Sequence, residues 1–487
     1  MSQAHPYSLA RWGAGPPTAS PTLASTPLER PIARCQIGYL LFLLVNFVLL
    51  VRPSEIVPAL DRIPIYQFVI LACLLTSLPV VLEQLTLESL FSRPITLFVL
   101  CLLPAALLSH LSHLYFGGVL DAGREFGKLV IYYLLLVGLV NTPSRLRQFM
   151  VWVFLLVIVL TTLALLEYHR VIDIPALREM DQRNVDPVTG VVTYLQRMRS
   201  TGIFNDPNDL CLVLVLALNV AFYRMLEGKN GDQSTSLLML LSGGGFLRVI
   251  AWMLPIGFFG YALAMTRSRG GFLSMLAGGM TILISRFGLR KTIPLAIIVL
   301  PAMFVIFAGR QTEISASTGT GQERIQIWGE GLSLLREAPL FGIGMNEYEE
   351  RVGLVAHNSY VHAYTELGIF GGMLFMGAFL IAGVSLRRAA SPGVQILDPQ
   401  MARLRAYLLA MLTAYAVGIF TLSRPYTVLT YVILGMAAAF LRVAPIRPRS
   451  ALPRFTGTML FSLLALSALF IVAAYVLVNL LAKWSGA

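Results

Sequence analysis

Long apolar runs alternate with short polar segments along most of the chain. A helix that crosses a bilayer needs about 20 mostly apolar residues, because each residue advances the helix by about 1.5 Å. Repeated runs of this kind predict roughly 12–14 transmembrane helices. The shortest core, Leu129–Val140, is the weakest of these signals. The predicted cores are Ile37–Leu50, Tyr66–Leu82, Ile95–Leu114, Leu129–Val140, Phe149–Leu166, Leu210–Met225, Phe246–Met265, Phe272–Ile284, Ile293–Ala308, Tyr360–Val384, Tyr407–Leu422, Val428–Leu441 and Met459–Leu481.

Composition supports this pattern. Of the 487 residues, 56% are hydrophobic and 13% are charged. A soluble protein so apolar would lack a polar surface, so we predict an all-α polytopic integral membrane protein with a membrane domain over residues 32–487. Residues 1–31, rich in Pro, Ala, Ser and Thr, predict a disordered cytoplasmic tail. The net charge of +12 suits cytoplasmic loops and anionic lipids, and we expect no nucleic-acid partner.

The positions of lysine and arginine predict the orientation. Cytoplasmic loops of membrane proteins carry an excess of both residues. With a cytoplasmic N-terminus, two long polar segments, about 167–207 and 310–356, lie on the outer side; loops of such length are often functional. The predicted inside clusters are Arg145 and Arg147; Arg286, Arg290 and Lys291; Arg387, Arg388, Arg403 and Arg405; and Arg442, Arg447, Arg449 and Arg454.

Several arginines on the predicted outer side depart from the charge rule. Arg267 and Arg269 occupy a very short turn, "MTRSRGGFL", while Arg199 and Arg310 flank the two long loops and Arg424 lies in "LSRPY". A single arginine of this kind often extends to lipid phosphates. Several at one depth favour an anionic ligand, because the planar guanidinium donates two hydrogen bonds to phosphate at once.

The stretch "AHNSYVHAYTELGIFGG" places polar groups at the start of an apolar helix. Asn358, His362 and Glu366 share one helical face, while His357 precedes the helix. We predict a helix cap for Asn358, a hydrogen-bonded packing role for His362 and general-base chemistry for His357. Glu366, a carboxylate at membrane depth, is a functional candidate that orients a histidine or pairs with an arginine. The spacing is not a zinc signature, and we expect no metal.

The second long loop has a pattern of its own. "TGQE" matches a capping box, and Ile325, Trp328, Leu332 and Leu335 follow at helical spacing. We therefore predict an amphipathic helix on the outer interface, with Trp328 at the level of the lipid headgroups.

These motifs occur in one order. A basic residue precedes "TGIFNDPND"; then come "TRSRGGFL", "ERIQIWGEGLSLLREAPLFGIGMNEY" and "HNSYVHAYTELGIFGG". In this order they resemble the O-antigen ligase and polymerase superfamily of bacterial surface-glycan synthesis, over about residues 199–372. The flanking segments are similar only as hydrophobic helices, and whether Met459–Leu481 is a span beyond the usual dozen stays open.

The resemblance implies a specific activity. It implies a GT-C-like, metal-independent and inverting glycosyltransferase of the bacterial inner membrane, without a cofactor. The enzyme would transfer a glycan from undecaprenyl pyrophosphate to lipid A core or a growing polysaccharide on the periplasmic side. His357 would activate the acceptor hydroxyl, and Arg267 and Arg269 would hold the pyrophosphate. The weaker candidates for phosphate or glycan binding are Arg199, Arg310, Arg324, Asn358 and Arg424.

Three alternatives stay open at this stage. The same motifs fit an exopolysaccharide polymerase as well as a ligase. A transporter of small solutes, or a flippase for lipid-linked sugars, would also have many spans. The sequence has no visible internal repeat of the kind common in transporters, and its polar groups gather on one side. Both points favour the enzyme.

Overall fold

The structure is a computed structural model that describes residues 35–185, 192–226, 244–307 and 320–482. The predicted tail, residues 1–31, and Arg310 lie outside the described residues. The α-helices are α1 Gln36–Val51, α2 Pro53–Ile56, α3 Ile65–Leu82, α4 Leu87–Ser92, α5 Pro94–Leu111, α6 Phe116–Leu139, α7 Pro143–Tyr168, α8 Pro207–Leu226, α9 Gly244–Thr266, α10 Arg269–Phe287, α11 Leu289–Ile306, α12 Thr320–Glu337, α13 Tyr348–Val352, α14 Ser359–Arg388, α15 Pro399–Gly418, α16 Val428–Val443 and α17 Gly457–Leu481.

The long helices confirm the predicted fold class. Every predicted hydrophobic core lies on one of them as far as the described residues extend, and α6 begins at Phe116, well before its core Leu129–Val140. Within the described residues, 10 helices are long and apolar enough to cross a membrane. The cores outside that set lie on α6, α11 and α16; α6 has a charged first half, and α16 is apolar but has only 16 residues. The protein is an all-α multi-pass membrane protein.

Consecutive long helices run in alternating directions, so the connecting segments collect at two ends of the bundle. At one end, the Met198 amide donates to the Met265 carbonyl over 3.1 Å. At that same end, the Gly202 amide donates to the Glu55 carboxylate over 2.7 Å. We call it the site end, because it contains the described parts of the two long polar segments. Among the described residues, the predicted inside clusters of arginine lie at the opposite end.

The site end contains short β-structure that the sequence did not predict. Strand β1, Met180–Val185, pairs antiparallel with β2, Val192–Arg197, so that Met180 lies opposite Arg197. A second small sheet, at the opposite end, pairs β3, Gln395–Ile396, with β4, Ile446–Arg447. The hairpin of β1 and β2 matters for the site, because β2 ends at an arginine.

Helix α14 is interrupted one third of the way along. At Gly368 the backbone leaves the helical conformation, with φ 65° and ψ −169°. The break frees backbone carbonyls, which accept hydrogen bonds from the linker before α13. Ile343 donates to the Thr365 carbonyl and Gly344 to the Glu366 carbonyl, each over 3.1 Å. Irregular backbone at membrane depth is stable where protein groups satisfy it in this way.

The predicted amphipathic helix forms as α12. Its apolar face does not lie on lipid, however. Ile325, Leu332 and Leu335 are buried in one cluster with Tyr364 of α14 and Val478 of α17. The helix therefore packs onto the membrane domain, and its position relative to α14 is fixed by this contact.

Candidate active site

Three arginines from distant segments form a cluster at the site end. Arg197 ends β2, Arg269 begins α10, and Arg324 lies in the first half of α12. Burial lowers the pKa of Arg324 below its ordinary value, and the positive charge of Arg269 lowers it further. Burial likewise lowers the pKa of Arg197, and Asp206 opposes that effect. Partly desolvated cations that repel one another are suited to hold an anion.

Sequence reasoning missed Arg197. Its guanidinium donates to the Thr266 carbonyl over 2.9 Å and to the Asn208 side chain, also over 2.9 Å. It thereby joins the β-hairpin to the turn before α10 and to the start of α8. The neighbouring candidate, Arg199, donates instead to the backbone carbonyl of Arg178 over 2.6 Å. The structure thus brings Arg197 into the cluster in place of Arg199.

The turn between α9 and α10 holds Arg267 and Arg269, the two residues predicted to hold the pyrophosphate. Ser268 caps α10, because its hydroxyl accepts a hydrogen bond from the Gly271 amide over 3.1 Å. The Gly271 amide is thus occupied by this cap. Arg267 is half-buried in the turn and has a left-handed φ of 50°. Arg269 contributes its charge to the arginine cluster.

His357 lies next to this cluster and has a constrained backbone. Its φ of 50° is in the left-handed region, which a non-glycine residue rarely adopts. The preceding carbonyl, of Ala356, accepts a hydrogen bond from the Trp328 indole over 2.7 Å. The following residue, Asn358, caps α14 through its side chain, which accepts from the Tyr360 and Val361 amides. The Trp328 indole therefore anchors the His357 loop.

The environment of His357 keeps its imidazole neutral. Burial lowers the pKa of His357 from 6.5 to about 4, and the positive charge of Arg324 contributes in the same direction. Asp206 opposes this shift, and Arg424 adds to it. A neutral imidazole has a free nitrogen lone pair and can accept a proton near neutral pH.

Arg424 is already paired with protein carboxylates. It forms a bidentate ion pair with Asp209, with N···O distances of 2.6 Å and 2.7 Å, and lies 3.6 Å from Asp206. Burial alone would lower the pKa of Arg424, but the bonds and charge of Asp209 raise it above its ordinary value. This arginine therefore ties the α15–α16 loop to the start of α8, and its charge is largely compensated before any ligand binds.

Glu366 pairs with His362, one helical turn earlier on α14. The His362 Nε2 lies 3.0 Å from a Glu366 oxygen, which also accepts the Tyr348 amide over 3.0 Å. The His362 ring stacks on Tyr348 with centroids 5.1 Å apart. The pair joins α13 to α14. Within the described residues, no group of three histidine, cysteine, aspartate or glutamate side chains is arranged to hold a metal ion.

The structure thus sorts the predicted site residues into groups. His357, Arg269 and Arg324 share one electrostatic environment. Asn358 is a helix cap, and Arg424 is an interhelical tether. Arg199 bonds elsewhere, and Glu366 supports His362.

Comparison with known protein families finds a match over the part of the chain that contains His357 and Arg269. No curated protein sequence matches the chain. The family model described as O-antigen ligase, Wzy_C, matches residues 254–376. This range includes the turn with Arg267 and Arg269, all of α12, and the first half of α14 with His357 before it. The match confirms, over residues 254–376, the resemblance to the O-antigen ligase and polymerase superfamily that the motifs predicted.

Proposed function

We propose that the protein is a membrane glycosyltransferase that transfers a glycan from undecaprenyl pyrophosphate to an acceptor hydroxyl at the site end. The observation that carries this proposal is the neutral His357 beside the cluster of Arg197, Arg269 and Arg324. An O-antigen ligase of this family joins a glycan to an acceptor, and such a reaction needs a base and a group that stabilises the leaving pyrophosphate.

The chemistry can be assigned atom by atom. The acceptor hydroxyl oxygen attacks the anomeric carbon of the donor glycan, and a new C–O bond forms. The bond from that carbon to the pyrophosphate oxygen breaks, and the electron pair leaves with the pyrophosphate. His357 accepts the hydroxyl proton, and the arginine cluster stabilises the charge that develops on the leaving group. A single displacement of this kind inverts the anomeric configuration.

The orientation in the membrane belongs to the same proposal. The basic clusters at the end opposite the site favour a cytoplasmic location for that end. The site end would then face the periplasm of a bacterium, and the enzyme would lie in the inner membrane. The acceptor would be lipid A core for a ligase or a growing polysaccharide for a polymerase.

The decisive experiment is a transfer assay with purified protein. We expect undecaprenyl-pyrophosphate oligosaccharide and a lipid A core acceptor to give a covalent product in the wild type. His357→Ala should reduce the rate by about 10²- to 10⁴-fold, the usual contribution of a general base. The matched control is His169→Ala, because His169 is exposed and contacts Tyr261 outside the site. Normal product from His357→Ala would refute the base assignment, and uptake of the donor into vesicles without product would favour a transporter.

A further inference from the structure

A cavity lies beside Arg424, and Val355, two residues before His357, is on its wall. It has a volume of about 470 Å³, and His362, Ser423 and Arg424 are among the residues that line it. Arg424 also belongs to the electrostatic environment of His357. The arginine cluster does not line this cavity: Arg197, Arg269 and Arg324 are absent from its walls. We call it the near cavity.

The cavity walls hold buried polar atoms without a hydrogen-bond partner among the described residues, and these include His362 Nδ1 and Ser423 Oγ. Each of these two residues is only 7% exposed. The Glu366 carboxylate accepts from His362 Nε2, so in the neutral ring Nδ1 is left as an acceptor. The Ser423 hydroxyl can donate or accept. Buried polar groups are nearly always satisfied, and several unsatisfied polar atoms on the walls of one cavity therefore point to a ligand that carries hydroxyls.

A second cavity continues from the near cavity. It has a volume of about 670 Å³, and Tyr426 lines both cavities. Asn346, on the wall of the near cavity, donates to Glu125, on the wall of the second, over 2.8 Å. We call the second one the far cavity. It accounts for part of the charge in the first half of α6, because Glu125 and Lys128 lie there and both line the far cavity.

The charges of the two cavities differ from those of the arginine cluster. The near cavity has the carboxylates of Asp209, Glu349 and Glu366 on its walls, against the one arginine, Arg424. The far cavity is balanced, with as many basic as acidic side chains. Its ionisable residues are Arg52, Arg62 and Lys128, and Glu55, Asp61 and Glu125. A phosphate-bearing ligand would be repelled from the near cavity and would gain no net charge attraction in the far one.

We propose that the two cavities form one groove that binds the acceptor as an uncharged saccharide with free hydroxyls. The terminal sugar occupies the near cavity, where His362 and Ser423 position its hydroxyls beside His357. The preceding sugar occupies the far cavity, along Glu125 and Lys128. This inference rests on the proposed glycosyl transfer, and it assigns the donor pyrophosphate to the positively charged arginine cluster and the acceptor saccharide to a separate surface without excess positive charge.

Ser423→Ala gives the sharpest test, because the Ser423 hydroxyl has no protein partner to lose. We expect the KM for the lipid A core acceptor to rise about 2- to 10-fold, the effect of one hydrogen bond, while the donor KM and the Tm stay unchanged. The matched control is Thr161→Val, which removes another buried hydroxyl without a partner, on α7 away from both cavities. An unchanged acceptor KM in Ser423→Ala, or an equal rise in the control, would overturn the groove.

Two further measurements test the class of saccharide and the length of the groove. Removal of the phosphates from the core oligosaccharide should leave its KM unchanged or lower it; a higher KM would contradict an uncharged occupant.

Lys128→Gln should raise the KM for a core oligosaccharide with two terminal neutral sugars more than for the core cut back to one. Equal effects would contradict the far cavity.

The groove and the proposed reaction fail in distinguishable ways. If wild-type protein makes no product but Ser423→Ala still weakens binding of the core oligosaccharide, the transfer reaction is refuted and the groove stands. If product forms and only His357→Ala affects it, the groove is refuted and the reaction stands.

Discussion

The acid limb of the pH–rate profile should reveal the unusual environment of His357. The base must be neutral to accept a proton, so activity falls as the pH drops through its pKa. In the free enzyme that pKa is about 4, mainly because the imidazole is buried and secondly because Arg324 is positive. Between pH 7.5 and pH 5.5, kcat/KM for the donor should therefore fall by less than about 10%. An ordinary histidine with a pKa of about 6.5 would lose about tenfold over the same interval.

Bound donor should shift this limb. The pyrophosphate brings negative charge next to His357, which favours the imidazolium, so the pKa rises toward the working pH. The limb in kcat should thus lie at higher pH than the limb in kcat/KM, because the two report the bound and the free enzyme. Both are measured from initial rates with purified protein in detergent. A limb near pH 6.5 in kcat/KM, or the same limb in both profiles, would refute the reasoning.

The variant Arg324→Gln tests the cause of the shift. Loss of a positive neighbour stabilises the protonated ring, so the limb in kcat/KM should move to higher pH, whatever happens to the absolute rate. Arg336→Gln is the matched control, because Arg336 is exposed near the other end of α12. A limb that moves to lower pH in Arg324→Gln, or that moves equally in both variants, would show that charge on α12 does not act on His357 as we infer.

Two further predictions concern the support of the site. Gly342→Ala should lower the Tm markedly and reduce the free energy of unfolding by more than about 2 kcal/mol. The reason is that φ is 75° and that an added Cβ would meet the Glu366 backbone. Gly353→Ala is the control for the conformational part alone, since φ is 82° but no atom lies within 4 Å of the added Cβ; equal shifts in Tm would contradict the packing argument. Trp328→Phe should lower kcat several-fold, because the Ala356 carbonyl loses its indole donor. Trp152→Phe loses a comparable indole bond, of 2.9 Å to Leu43, away from the site, and a similar loss of kcat there would refute a specific role for Trp328.

The membrane fold could be predicted from the sequence because bilayer thickness imposes one length on every span. The contact between His362 and Glu366 could also be predicted, because residues four apart on a helix lie on one face. The break at Gly368 could not be predicted by that rule. It depends on the linker amides of Ile343 and Gly344, which are distant in sequence and replace the missing helical donors.

The choice between two arginines shows where local reasoning stops. Arg197 and Arg199 both precede "STGIF", and nothing in their own neighbourhood distinguishes them. The choice is made by the Thr266 carbonyl, 69 residues away, and by the hairpin register that ends β2 at Arg197. Two arginines separated by one residue near the end of a strand indicate that one of them can reach the cluster. Which one does so is decided only by the pairing of that strand.

The histidine at the centre of the site depends on contacts from segments far from it in the chain. The left-handed φ of His357 is unfavourable by about 1–2 kcal/mol for a side chain with a Cβ. It persists because α12 holds the preceding carbonyl through Trp328 and the cap of Asn358 fixes the start of α14. The Ser359 hydroxyl also accepts from the Arg424 amide over 2.8 Å, which ties the α15–α16 loop to the same point. Helix α12 therefore acts on the proposed base in two ways. Arg324 contributes positive charge next to His357, and Trp328 holds the backbone before it, so both effects depend on the packing of α12 against the membrane domain.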